Sequence, residues 1–122
     1  MTEKLINQNG KTVCLKVKHA KNFFQKFKGL LGESEKNFDY ALIFHLNGES
    51  QLEGSIHSMG MKFEFDVVWL DSKQKIVDLK KNFKRNVWNY TPRKACAFIV
   101  ELPLGTIREK KLKLKQKLNW KK

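Results

Sequence analysis

The chain of 122 residues contains little cysteine, proline or glycine, with two Cys, two Pro and seven Gly. Cys14 and Cys96 are far apart and neither belongs to a CxxC pair, so cysteine supplies no metal or redox motif. Each lies in an apolar, strand-like stretch, VCLKV or ACAFIV. Because free cysteine behaves as a small hydrophobe, two buried thiols are the first interpretation, and a disulfide between facing strands is the alternative.

Long apolar runs are also missing. The opening stretch MTEKLINQNGKTVCLKV lacks the apolar segment of a secretory signal, and no run approaches the roughly 18 apolar residues that a membrane helix needs. We therefore expect a cytoplasmic protein without membrane insertion. A hydrophobic content of 41%, with 11% aromatic residues, is too high for a disordered chain, and the length suits a single domain over residues 1–122.

Acidic residues are scarce: 12 Asp or Glu stand against 25 Lys or Arg, for a net charge of +13. Residues 1–32 hold seven Lys and one acid, residues 33–71 two Lys and eight acids, and residues 72–122 sixteen Lys or Arg and three acids. If the fold keeps this separation, one side attracts polyanions such as RNA, DNA or an anionic membrane. The alternative is a generally Lys-rich surface without a partner, as in proteins adapted to heat.

Hydrophobic periodicity predicts mainly strands. LINQNGKTVCLKVKHA is typical of a hairpin that turns at Asn9 and Gly10. YALIFHL, KIVDLKKNF and ACAFIVELPLG are typical of further strands, and TIREKK of a short helical turn. Over residues 18–28 the spacing changes to that of an amphipathic helix ended by Gly29, with one face formed by Ala20, Phe23, Phe24 and Phe27.

The stretch HSMGMKFEFDVVWLD changes its pattern halfway. Apolar and polar residues alternate up to Phe65, whereas residues 67–70 are all apolar. This predicts a strand that begins with one face in water and ends with both faces covered, as where a sheet curls into a barrel or a helix lies across it. The terminal stretch KLKLKQKLNWKK predicts a strand with a lysine face that guards a sheet edge.

Together these elements predict an α+β fold that is mainly antiparallel β. We expect a small, partly open β-barrel of about seven or eight strands with one or two short helices, one of which covers an opening of the barrel.

Four stretches together resemble a known family: GLLG at 29–32, ALIF at 41–44, HSMGMKFEFDVVWLD at 57–71, and VWNYTP with FIVELPLGTI between 87 and 107. They are similar to the family catalogued as domain of unknown function 192, over roughly residues 11–120 and in the form typical of archaeal members. The resemblance implies a compact, mostly β domain and no particular activity. Members tend to have a Gly and Asp turn where Lys115 and Gln116 stand, so the last turn is expected to differ here.

No metal or cofactor is predicted. A metal site would draw on His45, His57, Asp66, Asp71 and the cysteines, but zinc needs three or four converging ligands and no short motif spacing brings them together.

No catalytic residue is assigned either, and an enzymatic activity is not favoured. Ser58 follows His57 directly, and neighbours in a strand point to opposite faces, so they cannot form a dyad. Glu64 and Asp66 share one predicted strand face, where mutual repulsion could make one of them an acid or base. The alternative for Asp66 is a structural carboxylate that accepts backbone N–H bonds from a neighbouring loop. Asp66, Glu64 and His57 are therefore only weak catalytic candidates.

The strongest binding candidate is the basic loop, residues 80–94, which mixes six cations with three aromatic residues. Nucleobases stack on aromatic faces for ~1–3 kcal/mol each while Lys and Arg neutralise phosphates, so this mixture suits single-stranded nucleic acid. The lysine tail, residues 111–117, adds further cations. The predicted nucleic-acid-binding residues are Lys80, Lys81, Phe83, Lys84, Arg85, Trp88, Tyr90, Arg93, Lys94, Lys111, Lys113, Lys115 and Lys117. Alternatively, the loop is a lid over the barrel mouth and its cations are merely solvated.

Three functions are compatible with these features. The first is a non-enzymatic binding module for a polyanion, RNA rather than DNA, contacted by the basic loop and the lysine tail. The second is a small-ligand or enzymatic pocket beside Glu64, lined by His57, Met59, Asp66 and Trp88. The third is a protein-interaction module without a ligand.

Overall fold

The computed structural model describes residues 3–22 and 30–122, which contain eight strands, one short α-helix and one 3-10 helix. The strands are β1 (Lys4–Asn7), β2 (Thr12–Cys14), β3 (Val17–Ala20), β4 (Ala41–Ser50), β5 (Phe65–Leu70), β6 (Ile76–Phe83), β7 (Cys96–Leu102) and β8 (Leu118–Lys121). The 3-10 helix is Glu35–Asn37, and α1 (Thr106–Glu109) lies within the predicted helical turn. No helix in this part of the chain is long and apolar enough to cross a membrane.

The strands form two sheets. A small sheet has the order β2-β1-β8, and a large sheet has the order β3-β4-β7-β5-β6. The pairings are antiparallel except that of β3 with β4. The predicted class, mainly antiparallel β with seven or eight strands and few helices, is confirmed. Because residues of both sheets share one core, the architecture is a partly open, barrel-like sandwich rather than a closed barrel.

Each face of the large sheet carries a hydrophobic core, and β5 lies between the two. Phe65, Val67 and Trp69 point into an aromatic core on one side. Val68 and Leu70 point into an intersheet core that the small sheet completes on the other side. All six residues of β5 are buried, so the prediction that both faces become covered at this end of the HSMGMKFEFDVVWLD stretch is confirmed.

The same strand begins later than predicted. Residues 58–64 are not extended, because the N–H of Met61 bonds the carbonyl of Ser58 in a turn where Gly60 has a φ of 82°. The alternation was nevertheless informative about burial, since Met61 and Phe63 pack in the aromatic core that Phe65 continues. The segment predicted as a strand with one face in water is therefore a turn, from which Met61 and Phe63 point inward while Met59 is exposed.

The N-terminal hairpin is confirmed, but its second half divides between the two sheets. β1 and β2 pair around a turn in which Gly10 has a φ of 80°. The chain then leaves the small sheet at Leu15, which is 65% exposed, and joins the large sheet as β3. The predicted helix over residues 18–28 is wrong at its beginning, because Lys18, His19 and Ala20 pair with β4 as a parallel strand. The remaining positions of this predicted helix, 23–29, lie outside the described residues. They include Phe23, Phe24 and Phe27 of the predicted apolar face and Gly29, which was predicted to end the helix.

Both cysteines are free thiols, so the disulfide alternative does not apply. Cys96 is buried in the aromatic core, and burial, followed by the nearby charge of Glu49, raises the pKa of its thiol to about 11. Cys14 is half-buried, and burial likewise raises its thiol pKa. Neither thiol is therefore a reactive thiolate at neutral pH.

The terminal strand is shorter than predicted. It begins at Leu118 because Lys111 and Lys115 have positive φ angles, of 55° and 75°, which interrupt an extended backbone. Leu112 and Leu118 still reach the intersheet core, whereas Leu114 is 47% exposed. The lysine tail is thus a pair of turns laid against the sheet, not a continuous strand face.

Lys115 itself has a φ of 75°, in the left-handed region that glycine adopts most readily. Its N–H donates to the carbonyl oxygen of Ile76 at 2.8 Å, and the N–H of Ile76 donates to Gln116 at 2.9 Å. These two bonds fix the tail to the beginning of β6. Their free energy offsets the cost of the positive φ at Lys115.

Lys115→Gly is expected to raise the free energy of unfolding by about 0.5–1 kcal/mol. Removal of Cβ relieves a left-handed conformation that costs roughly 1–2 kcal/mol, and the added freedom of glycine in the unfolded chain cancels only part of that gain. Urea unfolding followed by circular dichroism measures the change. Lys113→Gly is the matched control, since Lys113 is exposed in the same tail without a positive φ, and it should destabilise. Equal losses in both variants would contradict the assigned strain.

Candidate polyanion interface

A buried carboxylate organises the end of the basic loop. Asp78 on β6 is fully buried, and Arg93 donates to its Oδ1 from Nε at 3.1 Å and from Nη2 at 2.8 Å. The Arg93 backbone N–H and the Tyr90 hydroxyl donate to Oδ2 at 3.0 and 3.1 Å, and the N–H of Leu79 donates to Oδ1 at 2.8 Å. Because an unpaired buried charge is very costly, these bonds tie residues 90–93 to the sheet.

The charge state of this network follows from its contacts. Burial raises the pKa of the Asp78 carboxyl, but the side-chain and backbone hydrogen bonds from Arg93, with those from Leu79 and Tyr90, outweigh burial and set the pKa below its usual value. Burial and then the Asp78 charge raise the pKa of the Tyr90 hydroxyl. The hydrogen bonds to Asp78 raise the pKa of Arg93 further. Arg93 is therefore a permanently charged group in a fixed position.

The three aromatic residues of the basic loop have different environments. Phe83 is fully buried and stacks on Phe65 with ring centroids 5.5 Å apart, so it is a core residue and has no face to offer a base. Tyr90 is half-buried and packs on Trp69 at 5.2 Å. Trp88, in contrast, is 82% exposed. Of the three, Trp88 is therefore the residue whose ring is available to stack on a ligand.

Most of the predicted cations are exposed. These are Lys81, Lys84, Arg85, Arg93 and Lys94 of the basic loop, with Lys111, Lys113, Lys115 and Lys117 of the lysine tail. Lys80 is half-buried, with Nζ 5.1 Å from the Tyr90 ring centroid. Besides Arg93, two of the exposed cations also hold local structure: Lys84 Nζ lies 3.6 Å from Glu64 Oε1, and Arg85 Nε donates to the Met61 carbonyl at 3.0 Å.

Cations from three separate segments meet at one cavity of about 310 Å³. Its charged lining consists of Lys75, Arg93, Lys94, Lys115 and one acid, Asp71. Its apolar lining consists of Ile76, Val77 and Leu114. The cavity thus joins the turn before β6, the end of the basic loop and the lysine tail, which are far apart in sequence.

Lys75 was missed by the sequence reasoning because it opens the KIVDLKKNF stretch directly after a hairpin turn, where a lysine is common. Asp71 Oδ1 accepts the backbone N–H groups of both Lys73 and Lys75 at 2.9 Å, which shapes this turn and places Lys75 at the cavity. Only the pairing of the tail with β6 brings Lys115 to the same place.

The second predicted site, beside Asp66, has a different geometry. Asp66 is fully buried: its Oδ1 accepts the N–H of Asn82 at 3.0 Å, and its Oδ2 accepts the N–H of Ile107 at 2.9 Å. His57 and Met59 are exposed, as is Trp88. Asp66 thus has the bonding expected of its structural alternative.

Ser58, next to His57, holds the middle of the basic loop just before Trp88. It is fully buried, its Oγ accepts the N–H of Val87 at 2.9 Å, and its hydroxyl donates to the carbonyl of Lys84. Its backbone bonds the same loop, with the carbonyl oxygen accepting from Asn86 at 3.0 Å. Both ends of the segment that carries Trp88 are thus anchored by buried polar groups.

A chain of titratable groups also links the small sheet to the large one. His19 Nε2 lies 2.6 Å from Glu3 Oε1, and its Nδ1 lies 2.7 Å from His45 Nε2. Trp120 of β8 packs edge-on against both histidine rings. Among residues 3–22 and 30–122, no group of three or more His, Cys, Asp or Glu side chains is arranged to hold a metal ion.

The architecture defines a class: small, mostly antiparallel two-sheet β proteins, here with a basic cavity at the edge of the large sheet. The family model of DUF192, described as "Uncharacterized ACR", matches residues 4–120, and the chain belongs to this family. A UPF0127 protein of Thermococcus kodakarensis is 38% identical over 117 residues, covering 95% of this chain and 72% of that protein. A UPF0127 protein of Pyrococcus furiosus is 32% identical over 112 residues and 91% of each chain. The predicted archaeal-type family membership is confirmed.

Solved structures with the same fold come from bacteria. A proposed transcription regulator of Sinorhizobium meliloti superposes with a TM-score of 0.83 at 19% identity, covering 97% of this chain and 91% of the other. A protein of unknown function from Novosphingobium aromaticivorans gives 0.79 at 13% identity, covering 98% and 84%. At these identities the likeness shows the fold alone.

Proposed function

We propose that the protein is a non-enzymatic module that binds a polyanion, single-stranded RNA, on the face formed by the basic loop and the lysine tail. The observation that carries this proposal is the cavity at which Lys75, Arg93, Lys94 and Lys115 converge from three segments. A surface that is basic only because the whole protein is basic has no reason to concentrate four cations around one concave site.

The charge balance at this site favours an anion. Asp78 offsets much of the Arg93 charge, and Asp71 is the one acid in the lining. The three lysines of the lining, Lys75, Lys94 and Lys115, therefore leave the site with a net positive charge. Lys94 and Lys115 are exposed and lie among the other lysines of their segments, so the positive potential extends beyond the cavity. Each phosphate that such cations neutralise releases condensed counterions, which is the dominant source of non-specific nucleic-acid affinity.

The exposed ring of Trp88 supports a single strand over a duplex. An indole that is 82% exposed offers a stacking platform, and unpaired bases use such platforms whereas paired bases in a duplex do not. Because Ser58 and Asp78 anchor the segment on both sides of Trp88, the ring is held outward on a fixed loop.

The test measures binding of a fluorescently labelled single-stranded RNA oligomer as a function of salt. Affinity should fall steeply as salt rises, with a slope of roughly −0.7 per phosphate contact. The double variant Lys94→Glu with Lys115→Glu should lose at least about tenfold in affinity and show a shallower slope.

The matched control is Lys36→Glu with Lys62→Glu, which changes the net charge equally at two exposed lysines of the acidic middle segment. This control should lose only the small part of the RNA affinity that follows from the lower net charge of the whole protein. Equal losses in the two double variants, or no salt-dependent binding by the unmodified protein, would refute a localised RNA-binding face.

A further inference from the structure

The cavity combines two kinds of surface, and a polyanion backbone alone would use only one of them. Lysine and arginine groups supply the charged part, while Ile76, Val77 and Leu114 supply an apolar part. Leu114 remains 47% exposed even though its neighbour Leu112 is buried in the intersheet core. An exposed leucine at the wall of a cationic cavity suits a ligand with both a negative group and an apolar body.

The size of the cavity limits that ligand. A volume of about 310 Å³ lies at the lower end of the range of small-molecule sites, roughly 300–1,000 Å³. The space therefore admits one nucleotide-sized unit and not a helix or a folded partner. The remaining units of a strand would have to lie on the basic surface outside.

The backbone around the cavity, and one of its charged side chains, are held in place before any ligand arrives. Arg93 is fixed by Asp78 through two side-chain nitrogens, and the backbone of Lys75 is fixed by Asp71. The tail that carries Lys115 is bonded to Ile76. A cavity whose backbone and guanidinium group are already positioned loses less conformational entropy on binding than a mobile surface does, which favours a specific subsite over diffuse attraction.

Asp71 argues against a bare inorganic phosphate as the ligand. Its carboxylate lies in the same lining as the cations and offsets part of their attraction for a compact dianion. A ligand that also covers the apolar lining gains free energy that inorganic phosphate cannot gain.

We infer that this cavity is a subsite for a single nucleotide of the bound strand, with its phosphate among Lys75, Arg93, Lys94 and Lys115 and its base against Val77 and Leu114. This inference rests on the proposed function, and it adds that recognition includes one inserted unit in addition to backbone attraction.

Titration of the full chain with a nucleoside monophosphate, the matching nucleoside and inorganic phosphate, followed by NMR chemical shifts or calorimetry, tests the subsite. The monophosphate should bind at least about tenfold more tightly than either fragment. Leu114→Ser should weaken monophosphate binding by about tenfold, because the buried apolar contact is lost. Leu104→Ser is the matched control, since Leu104 is 45% exposed and lies outside the cavity lining; it should leave the affinity unchanged.

The outcomes separate this inference from the proposed function. If the RNA oligomer binds with the expected charge dependence but the monophosphate does not saturate and Leu114→Ser changes nothing, the subsite is wrong and the RNA-binding face stands. Binding of inorganic phosphate as tightly as the monophosphate would also overturn the subsite. If the monophosphate binds in a Leu114-dependent way while the oligomer does not bind, the cavity is a nucleotide site and strand binding is wrong.

Discussion

Asp66→Asn is expected to lower the free energy of unfolding by about 3 kcal/mol. This is a large loss for a substitution that only replaces one carboxylate oxygen by an amide nitrogen. The carboxylate accepts one backbone N–H on each oxygen, from Asn82 at the end of β6 and from Ile107 in α1. An amide can replace only one of these acceptors, and its NH₂ group would face the other N–H as donor against donor. Hydrogen bonds to charged groups contribute about 1.5–3 kcal/mol, and a buried donor left without an acceptor costs a similar amount. Chemical denaturation measures the loss.

Asp71→Asn is the matched control for this prediction. Asp71 also accepts two backbone N–H groups, from Lys73 and Lys75, but both bond the same oxygen, Oδ1. An asparagine retains that oxygen, so the loss should stay below about 1 kcal/mol. If Asp66→Asn left stability intact and abolished binding of a ligand, Asp66 would be a functional residue and its structural role would be wrong.

The contrast between Asp66 and its neighbours shows what sequence periodicity could predict. The apolar run after Asp66 correctly predicted that β5 is covered on both faces, because burial on two sides leaves no place for polar side chains. The same pattern placed the start of the strand eight residues too early, at His57 instead of Phe65, since inward-pointing side chains in a turn also alternate. Side-chain burial was therefore predictable where the backbone conformation was not.

Parallel pairing is a second feature that the sequence did not reveal. β3 is a four-residue strand between a hairpin and residues that lie outside the described part of the chain. Its apolar spacing is compatible with a helix, and the edge of β4 decides its conformation by offering hydrogen-bond partners. A short segment with a weak local preference takes the structure that its tertiary neighbour provides.

The charged segments of the candidate site could be predicted from the sequence, but the spatial arrangement of their residues could not. The basic loop and the lysine tail were identified from charge, but the Asp78–Arg93 contact that fixes the loop joins residues 15 positions apart and depends on strand register. The same register turns Phe83 inward and leaves Trp88 outside. Lys75 joins the site only because the tail docks on β6. Which cations share a cavity therefore depends on register and on tail docking.

Glu101→Gln is expected to stabilise the protein by on the order of 5 kcal/mol at pH 9 and by little at pH 5. Glu101 lies on β7 between Leu42 of β4 and Val67 of β5, and it is 6% exposed. Burial raises the pKa of its carboxyl from 4.5 to about 8. Each pKa unit corresponds to about 1.4 kcal/mol, so the native state incurs a growing penalty as pH rises between these values, while the unfolded chain is already ionised. Above about pH 8 the penalty is complete, and glutamine, which does not ionise, avoids it.

Urea unfolding of both proteins at a series of pH values between 5 and 9 measures this difference directly, because all other titrating groups are common to the pair and cancel. The gain from glutamine should appear above about pH 5, grow up to about pH 8 and then remain constant. Glu109→Gln on α1 is the matched control, since Glu109 is exposed, and it should show no such gain. A gain of the same size at both ends of the series would mean that the benefit of glutamine comes from packing and not from the removal of a buried charge.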